Sequence, residues 1–413
     1  MSKFDMKGLL KKDGARTVLA SLMSIFIGML AGGVIITIVG LTNDALGVRG
    51  AWDGVRIVLL GLFVKGRDSV GNLAFAFNPQ MMGNMLFNAT PVILTGLSVA
   101  VAYKTGLFNI GAPGQYLAGT AATLFIALSI PVTGSEMTAW YAQQGVAAGV
   151  TFPAWFVWGL AFLGGMAAGA LWGAIPGLLK ALLNINEVLA CIMTNWIAAN
   201  VVTWVFDDTR VFQNAVENTK NAYIYKTTFN GVQTPKLGLD SIFANSQVSG
   251  GILIAILMAV VVYILLNKTT FGYELKACGS NRFAARYAGV KDKRCIVTSM
   301  ALAGALAGAG AALYYLAGNT EFYWQTSQSL PAVGFNGIPV ALLAANNPIG
   351  VVFSGMFMSM LEICGQKLKD MTAFNEYITD VIIAVIVYLS AFAMMIRMLL
   401  SKRGKARGKE GLK

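Results

Sequence analysis

Apolar stretches recur along the whole chain, separated by polar or basic runs. They fall at residues 17–41, 86–103, 113–131, 153–180, 187–206, 249–267, 295–317, 331–345, 349–368 and 377–400. A helix needs about 20 apolar residues to cross a bilayer, and most of these runs supply that. The eighth is short and contains Gly334, Gly337 and Pro339, so a broken or half-length helix is expected there. The predicted fold is all-α: a polytopic transmembrane helical bundle of about ten spans with broken helices, forming one domain over 1–413. Within it Gly165, Gly169, Gly173 and Gly177 recur every four residues, and Gly304 and Gly308 repeat the spacing. Small residues at that interval form a helix face that lets a second backbone approach closely.

Orientation follows from the basic residues. With the N-terminus inside, 21 of the 31 Lys and Arg fall on the cytoplasmic side, against 6 of the 19 Asp and Glu. Cytoplasmic segments of membrane proteins carry such an excess. The N-tail 1–16, the loop 268–294 and the basic tail 401–413 are then cytoplasmic, and 207–248 is an external loop. An even number of spans keeps both termini cytoplasmic. Residues 42–85 fit less well, since they fall outside yet hold Arg49, Arg56, Lys65 and Arg67. There "WDGVRIVLLGLFVKG" reads as an interfacial or re-entrant helix. The basic start runs into an apolar stretch longer than a signal-peptide core, which predicts a retained first span.

Composition agrees with a multi-pass protein of the cell membrane, in contact with lipid. Of 413 residues, 56% are hydrophobic and 12% charged, against about 25% charged in soluble domains; mean hydropathy is +0.64. Histidine is absent, which removes His-based acid–base work and metal binding. Cys191, Cys278, Cys295 and Cys364 form no Cys-x-x-Cys pair and read as free packing thiols. The net charge of +12 sits at span ends, where it orients the chain rather than binding nucleic acid. No GxxxxGK[ST] loop occurs, so any ATP must be used by another chain, and no cofactor is expected on this one. Neither a paired carboxylate nor a nucleophile elbow supports an enzyme.

Polar residues interrupt the apolar runs in three places. One cluster is Asn88, Thr90, Pro91 and Thr95, leading to Asn109, Gly111, Pro113 and Gln115. Another is Asn186, Glu187, Thr194, Asn195 and Asn200. The third is Phe335, Asn336, Gly337 and Pro339, ending in "ANNP" at 345–348. Broken backbone at membrane depth survives only where protein or a water-filled cavity satisfies it. Discontinuous helices near the midplane are a common basis of transporter sites. Amide side chains pair well with the donor and acceptor edges of a neutral polar solute. Asn88, Thr95, Asn109, Gln115, Asn195, Phe335 and Asn336 are therefore the candidate solute-path residues. "GLFNIG" and "VGFNGI" resemble one another and fall toward opposite faces, as an inverted repeat would place them. A stand-alone secondary transporter would need an intramembrane carboxylate. Glu187 and Asp380 lie near span ends, which leaves Glu362 for that role.

The cytoplasmic loop "NKTTFGYELKACGSNRFAARYAGVKDKRC" has its own design. Ser280 or Asn281 can cap a short helix, "RFAARYAG", that ends on Gly289. Alanines at 284, 285 and 288 leave a smooth face rimmed by Arg282 and Arg286, suited to a partner's groove.

Four blocks then resemble a known family in order: "LTGLSVAVAYKTGLFNIGAPGQYLAGT", "NEVLACIMTNWIAANVV", "FGYELKACGSNRFAARYAGV" and "GFNGIPVALLAANNPIG". They are similar to permease subunits of ABC importers for nucleosides, within the ribose and branched-chain amino acid permease superfamily. Pro113 stands where relatives often carry an acidic residue, and Pro339 where a small one is usual. The resemblance spans roughly 86–400. It implies a second permease subunit, cytoplasmic ATP-binding subunits and an extracytoplasmic substrate-binding lipoprotein as partners. It implies nucleoside cargo, with a ribose-like sugar as the alternative. It makes "GSNRFAARYAGV" the coupling helix, with Glu274, Gly279, Asn281, Arg282, Ala285, Arg286 and Gly289 at the ATPase contact.

Overall fold

The computed structural model describes residues 13–42, 46–143, 145, 149–208, 224–225, 227–323, 325, 327–375 and 377–390. The start of the N-tail, part of the 207–248 loop, the end of the tenth predicted span and the basic tail lie outside these residues. The described chain is overwhelmingly helical. Its helices are α1 (Asp13–Thr42), α2 (Gly47–Leu60), α3 (Pro79–Lys104), α4 (Ala112–Ser129), α5 (Glu136–Gln143), α6 (Ala154–Leu183), α7 (Glu187–Asp208), α8 (Leu239–Ile242), α9 (Gly251–Lys268), α10 (Thr270–Ser280), α11 (Arg282–Tyr287), α12 (Asp292–Tyr315), α13 (Ala332–Leu343), α14 (Pro348–Met371) and α15 (Tyr377–Ser390). Six of them, α3, α6, α7, α9, α12 and α14, are long and apolar enough to cross a membrane, while the apolar α13 is shorter.

Local chemistry sets several boundaries. Asn78 caps α3 by accepting from the Met81 N–H, with Pro79 at the first position, where its missing donor costs nothing. Asn184 closes α6 in the left-handed region, φ 54°. Asn347 caps α14 by accepting from Ile349 and Gly350.

Helix α3 forms the axis of the bundle and is almost wholly enclosed. It packs against α9, α12, α13 and α14. Its Ile93, Leu94, Leu97 and Val101 meet Leu306, Leu313, Val340 and Val351 in the main core. Helices α6 and α9 lie on the outside, with much of their surface exposed. The α6–α12 pair is the most extensive helix contact, and the predicted glycine face explains it. Gly169 lies against the Gly304 carbonyl and the Gly308 backbone, and Gly173 against the Met300 carbonyl and Gly304. A side chain at these positions would strike backbone, which cannot move aside as a flexible side chain can.

Residues 46–85 are built, not loose. The predicted helix is α2, but it ends at Leu60. The chain then forms an antiparallel hairpin of β1 (Val64–Arg67) and β2 (Leu73–Phe75). Ile57, Val58, Val64 and Leu73 share a core with Ile36 of α1 and Leu361 and Leu368 of α14. The hairpin was not legible in the sequence. Three of the awkward basic residues have local partners: Arg67 pairs with Asp53 at 2.8 Å, Arg49 donates to Asn72 Oδ1 at 3.1 Å, and Arg56 lies over the Trp52 ring. A second small pair, β3 (Ile224–Tyr225) with β4 (Phe322–Tyr323), ties the 207–248 loop to the segment before α13.

Candidate functional site: two helix starts and a cytoplasmic knob

Between α3 and α4 the backbone leaves helical geometry. Gly106 adopts φ 72° and turns the chain back. The following residues run alongside α3, so Asn109, fully buried, meets Ser98 on that helix. The Asn109 amide is saturated. Its Nδ2 donates to Ser98 Oγ at 3.0 Å and to Gln115 Oε1 at 2.8 Å. Its Oδ1 accepts from Gln115 Nε2 at 3.0 Å and from the Gly111 N–H at 3.0 Å. Asn195 on α7 completes the arrangement: its Oδ1 accepts from the Gly114 N–H at 2.9 Å and its Nδ2 donates to the Ile110 carbonyl at 3.0 Å. The first N–H groups of a helix have no partner within it. Here asparagine side chains satisfy two such donors at the start of α4.

The start of α13 abuts the start of α4. Gly334, in the first turn of α13, packs on Pro113, and Gly337 packs on the Thr95 backbone. The Thr95 hydroxyl lies 3.1 Å from the Val333 carbonyl. Each helix starts on a proline, Pro113 at the second position of α4 and Pro331 just before α13. Two helix N-termini, each the positive end of its dipole, thus meet beside the central helix.

The candidate path residues divide on this geometry. Thr95, Asn109, Gln115 and Asn195 are gathered in one junction and are buried. Phe335 is exposed at its rim, while Asn336 and Asn88 are half-buried. Ser98 and Cys191 also reach the junction; a lone serine in an apolar run was the only sequence sign of the first. The two Phe-Asn motifs are not structural equivalents. Asn109 precedes its helix, whereas Asn336 lies inside α13.

The second cluster also holds plainer chemistry. Asn186 accepts from the Val188 N–H, and Glu187 pairs with Lys180 at 3.0 Å. Glu362 is half-buried on α14. Among the described residues no group of three or more Cys, Asp or Glu could hold a metal ion.

In the loop between α9 and α12, Asn281 rather than Ser280 caps α11, accepting from the Ala284 N–H at 3.0 Å. Gly289, at φ 86°, turns the chain out of the helix. Arg282 pairs with Asp292 at 2.7 Å, holding α11 to the start of α12. Ala285 faces inward and belongs to the main core with Leu275 and Cys295. The smooth face expected of the alanines is therefore turned, at Ala285, onto the chain's own helices. What projects is a pair the sequence reading passed over, Phe283 and Tyr287, 75% and 95% exposed. Glu274 and Arg286 are exposed too. Gly279 lies on the Lys104 carbonyl and the Gly106 backbone, where no side chain would fit. Next to that contact the Thr105 hydroxyl meets Ser299 at 2.5 Å.

Comparison with known proteins identifies the assembly type. The family described as "Branched-chain amino acid transport system / permease component" matches residues 81–391. The chain belongs to this permease family. It is 31% identical over 388 residues to the guanosine ABC transporter permease protein NupP of Bacillus subtilis, covering 94% of this chain and 97% of that one. It is 33% identical over 406 residues to the nucleoside ABC transporter permease protein NupB of Lactococcus lactis, covering 96% and 97%. The glucose ABC transporter permease protein TsgB13 of Haloferax volcanii is 27% identical over 80% of this chain and 82% of its own. The permease is thus a multi-pass membrane transport subunit of the ABC type and not an enzyme.

Proposed function

We propose that this permease forms the translocation path of a nucleoside importer driven by ATP on partner subunits. The observation that carries the reading is its likeness, along nearly its whole length, to permeases named for guanosine and nucleosides. In this reading the chain crosses the membrane about ten times, with α13 as a half-length passage and both termini cytoplasmic. An extracytoplasmic binding protein delivers the nucleoside, and a second permease subunit completes the path.

The cargo passes the junction of α4 and α13. Phe335, Asn336 and Asn88 meet it first. Asn109, Gln115 and Asn195 hold the start of α4 to α3 and α7, Thr95 holds the start of α13 to α3, and all four line the path when the two starts part. An aromatic ring beside amides suits a neutral solute with a flat base and several donors and acceptors. Cytoplasmic ATPases dock on α11, with Phe283 and Tyr287 entering their groove and Glu274, Arg282 and Arg286 at the rim. Asn281, Ala285 and Gly289 keep that knob in shape. Gly279 passes its displacement to Gly106, and the short segment from Thr105 to Gly111 carries it to Asn109.

The test is uptake of radiolabelled guanosine and uridine by cells with and without this chain, its partner subunits present. The reading predicts loss of uptake on deletion, and wild-type uptake competed by unlabelled nucleosides but not by ribose, glucose or leucine. Nucleoside uptake unaffected by the deletion, with a sugar lost instead, overturns the cargo. Uptake that persists without any ATPase overturns the ABC mechanism.

A further inference from the structure

The exposed faces of the long helices are not alike. Outward residues along α9 are Leu253, Leu257, Val260, Val261, Tyr263 and Ile264, with Asn267 in its last turn, and on α6 they include Leu163, Leu171 and Ile175, with Trp155 in its first turn. Such faces suit lipid. On α7 the outward face carries Trp196, Asn200 and Trp204, four residues apart and so on one side of the helix. The two indoles are 54% and 65% exposed. Between them Asn200 Nδ2 donates to the Trp196 carbonyl at 2.8 Å, which leaves its second N–H and its carbonyl oxygen free to bond. Asn200 lies about 20 Å along α7 from Glu187 and about 12 Å from Asp208, at about 1.5 Å per residue. An amide at that depth is costly against hydrocarbon, because nothing there can pair with it. Something polar must face it.

Position says what. Asn195, the residue before Trp196, holds the first turn of α4, whose Pro113 touches Gly334, the residue before Phe335. Trp196 and Phe335 are thus each one residue along from a buried member of the junction. A groove of about 510 Å³ runs along the α7 face, lined by Met193, Trp196, Ile197, Asn200, Val201 and Trp204. It is an open groove formed by α7 alone. Indole faces stack on nucleobases with little regard to sequence, and a free primary amide offers a donor beside an acceptor, as a base edge requires.

We propose that the Trp196–Asn200–Trp204 face is the base-recognition strip of the path, the indoles stacking on the nucleobase and Asn200 reading its edge. This rests on the nucleoside reading above and adds the residues that set affinity and base preference. The test uses the whole transporter in vesicles and measures KM, kcat and competition by inosine, uridine and free ribose. It compares wild type with Asn200→Leu, Trp196→Leu, Trp204→Leu and the conservative Trp196→Phe. Loss of a stacked ring or of the amide is expected to raise KM about tenfold, with kcat within about twofold. Trp196→Phe should recover most of the affinity. Asn200→Leu should narrow the ratio between inosine and uridine, which a merely structural role would not move.

Unchanged KM and base ratio in all three leucine variants, with wild type still carrying nucleosides, overturns the strip and leaves the nucleoside reading standing. A wild-type transporter that carries no nucleoside overturns both. Variants that stop co-purifying with the second permease subunit, at unchanged KM, would make this face a subunit contact and also overturn the proposal.

Discussion

Two of the places where this permease brings backbones into direct contact differ in kind. The α6–α12 seam does so along whole helices, through Gly165, Gly169 and Gly173 facing Gly304 and Gly308. The α4–α13 junction does so at two helix starts, through Gly334 on Pro113. The seam is regular helix on both sides, so its backbone donors and acceptors are satisfied within each helix, and packing alone holds it. The junction interrupts the helices, so its backbone groups need Asn109 and Asn195 to complete them, with Gln115 holding the Asn109 amide in place. Side-chain hydrogen bonds can exchange partners, which a seam of backbone packing does not offer. In the function proposed above, the seam is the static wall of the transporter and the junction is the part that opens.

The strongest way to break the comparison is to overfill the seam. Gly304→Leu would drive a side chain into the Gly169 carbonyl. Folded permease should fail to accumulate, as read by size-exclusion chromatography of detergent extracts. A well-behaved variant would mean the seam is looser than its contacts imply.

Next in size is Asn109→Ala, which leaves Gln115, Ser98 and the Gly111 N–H short of partners. Each orphaned buried group costs about 1–3 kcal/mol, a sum that is large against a net stability of about 5–15 kcal/mol, so transport is read per folded permease in the membrane. The permease should reach the membrane and bind its ATPases, yet transport should fall at least about tenfold. Normal uptake would remove the junction from the path.

The cytoplasmic knob comes third. Replacing Phe283 and Tyr287 together with serine should reduce ATPase co-purification several-fold while leaving the permease folded, since both rings are exposed. Ala285→Glu should act differently: it buries a carboxylate in the chain's own core and lowers the yield of permease itself. Equal effects of the two changes on yield would contradict this division.

The smallest effect on transport is expected from Arg67→Gln, which removes the ion pair to buried Asp53 and the bonds to the Gly71 and Met371 carbonyls. Leaving a buried carboxylate without its partner costs about 3–5 kcal/mol, so thermal stability should fall clearly while transport by the folded permease should not change.

Long apolar runs were readable because each needs only composition and length, and the six helices long and apolar enough to cross a membrane all follow such runs. The glycine face of α6 was readable from its four-residue period, which a helix turns into one line. The asparagines of the junction were readable as anomalies, because an amide has no use against lipid. Which of them would be open was not. Asn109 and Gln115 are closed by each other, a pairing that depends on how the Gly106 turn folds back along α3. Ala285 misled for a similar reason. A helix as short as α11 has too few residues for its sequence pattern to show which side faces the core. The β1–β2 hairpin was hidden because its strands are short and Gly-containing, and their register is set by packing on α14 rather than by any alternation of their own.

The most direct test of the junction as solute path is chemical accessibility. In a permease whose four buried cysteines are replaced by alanine, single cysteines are placed at Phe335, at the rim of the junction, and at Leu171, on the outward face of α6. Both side chains are exposed in the structure, 38% and 73%, but only the first should meet water. A membrane-impermeant thiol reagent should label Phe335→Cys in the assembled transporter, with labelling slowed by added guanosine, and leave Leu171→Cys unmodified. Phe335→Cys as silent as Leu171→Cys, or labelled at the same rate with and without guanosine, would contradict the account.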